Sequence, residues 1–98
     1  MTKERYEYSF RRHVDIDDVQ DALTLATIGA ETLHGRAKLR LDASFRLDRQ
    51  RRRCTIDGST KVGEDVARLF TGYLTRQFGE QAFRVRRTEA LPTERARR

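Results

Sequence analysis

The 98-residue chain is 37% hydrophobic and 37% charged, with 21 Lys and Arg against 15 Asp and Glu for a formal charge of +6; this length holds one domain and excludes two. Leu, Ile, Val and Phe make up 22 residues, just above the share of about one fifth below which chains stay disordered, so a small folded core is expected. A lone Cys54 and two His exclude an internal disulfide and a four-ligand Cys/His zinc site, and the charge-free run from Ala22 to Ala30 is too short to span a membrane.

Tyr6-Glu7-Tyr8-Ser9-Phe10-Arg11 alternates aromatic and polar residues, which predicts a strand with one buried face. Asp15 follows as a helix cap, with Asp17 and Asp18 in the first turn, where carboxylates meet the positive end of the helix dipole. Val19, Ala22, Leu23, Ala26, Ala30 and Leu33 recur at steps of three and four, and Gly35 can stop the helix, giving a span of about Ile16–His34.

From Ala37 to Asp48 the period returns to two. Ala37, Leu39, Leu41, Ala43, Phe45 and Leu47 fall on one face and Lys38, Arg40, Asp42, Ser44, Arg46 and Asp48 on the other, predicting a second strand. A turn over 48–51 leads to a third strand at Arg53-Cys54-Thr55-Ile56. An even loop of four residues keeps the apolar side chains on one side, and pairing Phe45 with Cys54 and Ala43 with Ile56 sets Arg46 opposite Arg53. Gly58-Ser59-Thr60 then supplies a hydroxyl cap for a second helix, with Val62, Val66, Leu69, Phe70, Tyr73 and Leu74 as its apolar stripe and Gly79 as its end. Phe83-Arg84-Val85-Arg86 is a short last strand. Gly29 and Gly72, inside helices, suggest close backbone approach.

The expected fold is therefore α+β: a ferredoxin-like βαββαβ order, with a four-stranded antiparallel sheet and two helices on one face. The expected domain covers 6–87, with flexible charged tails at 1–5 and 88–98. The order resembles that of the RNA recognition motif, but the outward aromatics that stack bases in that family are missing, since Tyr6, Tyr8 and Phe10 are needed for the core.

Charge is the most informative feature. The first helix holds five acids and no base over Asp15–Leu33, so the positive excess lies on strands and loops. By parity, Arg11, Lys38, Arg40, Arg46, Arg51, Arg53, Arg84 and Arg86 form a basic open sheet face, diluted by Glu7, Asp42 and Asp48. The face would serve to engage an acidic protein surface, as an adaptor or inhibitor does, or alternatively a nucleic-acid phosphate backbone. A third expectation is a subunit of an oligomeric small-molecule enzyme.

No catalytic residue, metal site or cofactor is expected. His13 and His34 lie at opposite ends of the first helix, and Cys54 falls on the buried strand face. Asp15, Asp17, Asp18 and Asp21 lack the glycine turn and terminal Glu of a calcium loop. Asp57 at the Gly58-Ser59-Thr60 turn repels a phosphate. With no apolar run after Met1, the protein is expected to be cytoplasmic.

Overall fold

The computed structural model describes residues 3–90. In chain order these form β1 (Lys3–Phe10), α1 (Ile16–His34), α2 (Arg36–Asp42), β2 (Phe45–Asp48), β3 (Arg53–Asp57), α3 (Lys61–Phe78), a 3-10 turn at Glu80–Ala82, and β4 (Phe83–Ala90). The α+β class holds, with one antiparallel sheet ordered β2-β3-β1-β4. The expected βαββαβ order does not, because a third helix, α2, stands between α1 and β2. Paired strand extends past the expected limits of 6 and 87, with Lys3 opposite Ala90. The charged segment expected as a tail over 91–98 lies outside the described residues.

The long second strand expected over Ala37–Asp48 is corrected to a helix followed by a strand of four residues. Ala, Lys, Leu and Arg are all strong helix formers and none is β-branched, so local preference over 36–42 overrides the period of two. The side chains confirm the helical period: Leu39 packs against the core, whereas Leu41, two residues on, is 83% exposed. Gly35, at φ 92, ends α1 by donating its N–H to the Glu31 carbonyl and redirects the chain into α2. A positive φ of this kind is open to glycine at little cost.

Register decides which side chains meet. The β2–β3 loop has the expected four residues, but the strands pair Phe45 with Ile56 and Leu47 with Cys54. That is two residues away from the expected register, a shift that preserves the apolar face. Arg46 therefore sits opposite Thr55, not Arg53, and the expected like-charge pair is absent; Asp48 faces Arg53 instead. The loop turns through Arg52 at φ 56, in the left-handed region that side chains other than Gly seldom occupy.

Tyr8, Phe10, Cys54 and Ile56 from the sheet meet Val19, Ala22, Leu23, Ala26 and Ala30 of α1 and Val66, Ala67, Phe70 and Leu74 of α3 in one buried cluster. Full burial of each Val, Leu, Ile or Phe contributes about 1.5–3 kcal/mol. The Tyr8 ring meets Phe70 edge-on at 4.9 Å, and its hydroxyl donates to the Ala67 carbonyl at 3.2 Å and lies 2.8 Å from Thr71 Oγ1. A polar group is thus buried with its bonds made.

The alanine row of α1 brings α3 close. A Cβ at Gly29 would stand 2.9 Å from Leu69 Cδ1, the movable end of a side chain, so α3 approaches closely there without requiring glycine; Gly72 has no neighbour within 4 Å and nothing in the structure explains it. Asp15 and Thr60 cap α1 and α3 by accepting from the Asp17 and Gly63 amides. Among the described residues, no helix is long and apolar enough to cross a membrane.

Candidate functional site

With Tyr8, Cys54 and Ile56 turned toward the helices, the residues between them must face the other way. Three rows cross this open face. Asp48, Arg53, Ser9 and Arg84 form the first, Arg46, Thr55, Glu7 and Arg86 the second, and Asp57, Arg5 and Thr88 the third. None of these outward residues is aromatic.

Six of the eight expected site residues meet on or beside this face. Arg46, Arg53, Arg84 and Arg86 lie on it; Arg51 is in the β2–β3 loop, and Arg11 follows the end of β1. Lys38 and Arg40 do not belong. They lie on α2, which packs against α1 and α3, because the segment that carries them is helical. Asp42 leaves with them, while Asp57 and Arg5 join. Arg5 was legible by parity, two residues before Glu7, but fell in the segment expected as a tail.

The cations differ in how far they are already occupied. Arg86 Nη2 holds Glu7 Oε1 at 3.1 Å and Arg5 Nε lies 3.8 Å from Glu7 Oε2. Asp48 accepts from the Arg51 amide at 3.1 Å and has the Arg51 guanidinium at 4.0 Å. Arg11 Nε donates to the Gln81 carbonyl at 2.6 Å. Among the described residues, Arg46, Arg53 and Arg84 have no carboxylate within 4.0 Å.

Arg53 and Arg84 flank exposed Ser9 from either side, two strand spacings or about 10 Å apart. A depression of about 260 Å³ lined by Glu7, Tyr8, Ser9, Arg53, Arg84 and Arg86 marks the spot, and Arg11 borders its neighbour beside Arg84. Guanidinium groups reaching inward over a small hydroxyl residue can grip one carboxylate or phosphate from two sides. The depression's position on the open sheet face suits a contact surface.

Arg52, absent from the expected set, has a different job. Its Nη2 donates to the carbonyls of Arg11 at 2.8 Å and Arg12 at 3.4 Å and to that of Val14, fastening the β1–α1 connection. No sequence signal separates it from the two arginines beside it.

Cys54 and Tyr8 are buried on the helical side of the sheet. Burial pushes the Cys54 thiol up to about 12, and likewise the Tyr8 hydroxyl up to about 12, so neither is ionised near neutral pH. His34, expected only to complement its helix dipole, reaches across to α3, where its Nε2 lies 2.7 Å from Asp65 Oδ2. That hydrogen bond, helped by Lys61, holds the Asp65 carboxyl below its usual range. Comparison with protein-family models and with curated proteins finds no match to the chain.

Proposed function

We propose that the protein is a small binding domain, an adaptor or inhibitor without catalysis of its own, whose open sheet face engages an acidic protein surface through Arg53 and Arg84 around Ser9. The single observation that carries this reading is that these two arginines flank a small polar residue and neither makes a carboxylate contact within 4.0 Å among the described residues, although Asp48 stands opposite Arg53. Charge separation supports it, since the acids of α1 lie in the helical layer and the arginines on the opposite face.

Interleaved Glu7, Asp48 and Asp57 favour a protein partner. A phosphate backbone crossing the rows would meet these carboxylates in turn, whereas discrete acidic side chains can be placed between them. The nucleic-acid reading keeps one observation in its favour, the convergence of Arg11, Arg53 and Arg84 at one edge of the face. For the architecture, we read the order β2-β3-β1-β4 as that of a ferredoxin-like sheet, with α2 as a short helix added before β2.

The test is a pull-down from the native host with matched variants. Arg53→Glu combined with Arg84→Glu is expected to abolish recovery of a stoichiometric partner, while Lys38→Glu combined with Arg40→Glu, off the face, leaves it intact. The opposite pattern would overturn the sheet-face assignment. Fluorescence anisotropy separates the second reading: binding of generic oligonucleotides that weakens steeply with salt would replace the protein partner by nucleic acid.

A further inference from the structure

The geometry points to an edge-to-edge homodimer in which β2 of one copy pairs antiparallel with β2 of a second copy about a two-fold axis at Leu47. β2 ends the sheet and hydrogen-bonds to β3 alone. Which of its backbone groups are spoken for follows from the bonds beside it. The Asp57 amide donates to the Ser44 carbonyl at 2.8 Å, while on the other side of β3 the Gly58 amide donates to the Glu4 carbonyl at 2.9 Å and the Phe10 amide to the Arg52 carbonyl at 3.1 Å. Odd residues of β3 thus turn their N–H and C=O toward β2. By the alternation of an antiparallel ladder, Arg46 and Asp48 answer them, and Phe45 and Leu47 present their N–H and C=O outward.

Those outward groups restrict the ways in which the edge can pair with itself. Centring the two-fold axis on Arg46 would set arginine against arginine, centring it on Asp48 would set aspartate against aspartate, and centring it on Phe45 would leave Arg46 opposite Ser44 and Asp48 beyond the paired residues. Centring it on Leu47 lets the two Leu47 residues exchange both of their hydrogen bonds and places Arg46 of each copy opposite Asp48 of the other. Those two flanking pairs fall at the close, non-hydrogen-bonded positions, where opposite charges attract most. Arg46 has no carboxylate within 4.0 Å among the described residues, and Asp48, which accepts from the Arg51 amide with Oδ1, has its Oδ2 no closer than 4.0 Å to the Arg51 guanidinium.

The helical side of the same edge is open and carries an apolar strip between polar residues. Phe45 is 42% exposed, and a groove of about 500 Å³ runs between β2 and α1, lined by Leu23, Thr24, Thr27, Phe45 and Leu47 together with Gln20 and Arg49. In the paired arrangement, Phe45 and Leu47 of the second copy lie alongside this groove and close it from the open side. The opposite edge of the sheet is guarded: β4 carries Arg84, Arg86 and Arg87, a charge run that discourages strand addition. This inference uses Arg46 and Asp48 and is independent of the Arg53 and Arg84 reading, since both faces remain open in the dimer.

Sedimentation equilibrium of the full chain is expected to show a mass that rises with concentration toward twice the 11.5 kDa of one copy. Arg46→Asp and Asp48→Arg each set like charges together at both flanking pairs, so each variant alone should sediment as a folded monomer by circular dichroism. Mixed in equal amounts they become complementary, and the dimer should return. Leu47→Pro removes the central outward N–H while leaving every bond to β3 in place, and provides a third variant should Asp48→Arg unfold through loss of the Arg51 amide contact. In the native chain, amide exchange at Phe45 and Leu47 should slow as concentration rises. A native chain that stays monomeric at every concentration, a dimer untouched by Leu47→Pro, or folded charge variants that fail to associate on mixing would overturn the proposal.

Discussion

Arg52 shows how a single side chain can stand in for turn chemistry that the sequence lacks. A four-residue hairpin loop commonly places Gly or Asn where the backbone turns left-handed; here Arg52 does so at φ 56, at a cost of about 1–2 kcal/mol for a residue with a Cβ. Its guanidinium offsets that cost by binding carbonyls of the β1–α1 connection. Hydrogen bonds from a charged donor are worth about 1.5–3 kcal/mol, so Arg52→Ala, which keeps the strain and loses the bonds, should lower stability by that amount. Arg52→Gly loses the same bonds but relieves the strain and should recover about 1 kcal/mol. Urea unfolding midpoints rank the three proteins, and equal midpoints for the Ala and Gly variants would show that the left-handed turn carries no strain.

At the scale of elements, the α1–α3 layer is locked by the pair of His34 and Asp65 across the C-terminal end of one helix and the N-terminal half of the other. The Asp65 carboxyl binds its proton less readily in the folded protein than in the unfolded chain. Its contribution to stability is therefore complete above the ordinary carboxylate value of about 4 and is lost as pH falls below it. Thermal unfolding between neutral pH and pH 3 should show Asp65→Asn with a flatter acid limb than the native protein; parallel limbs would show that the pair does not couple to folding. Much of this layer was legible in the sequence. The caps Asp15 and Thr60, the terminators Gly35 and Gly79 and the apolar stripes of α1 and α3 all follow from short-range patterns. α2 was not, because Ala37, Leu39 and Leu41 satisfy a period of two while their composition favours helix, and only the side on which Leu41 emerges distinguishes them. The pairing of His34 with Asp65, 31 residues apart, depends on helix packing and leaves no local trace.

For the whole molecule, the unevenness of charge carries a stability cost. Strand parity was enough to place Arg46, Arg53, Arg84 and Arg86 on one face; which of them lack a carboxylate neighbour depended on a register that shifts by two residues without moving any apolar side chain off the core side. Gathering Arg11, Arg53 and Arg84 around Ser9 sets like charges together in the free domain. Arg84→Glu should accordingly leave the isolated protein as stable or raise its stability by up to about 0.5 kcal/mol, most visibly in thermal unfolding at low salt, and under the proposed function it should weaken partner capture. A marked loss of stability would instead give Arg84 a structural role.

β1 also has a bearing on how the protein comes into being. The first strand of the chain is an interior strand of the sheet, held on one side by β3 and on the other by β4, with Lys3 against Ala90. Pairing β1 with β4 joins the two ends of the described segment and is the most non-local contact of the sheet, and such pairings form late in folding. Until it forms, β1 is paired on its β3 side alone and Phe10 lacks its contact with Phe83.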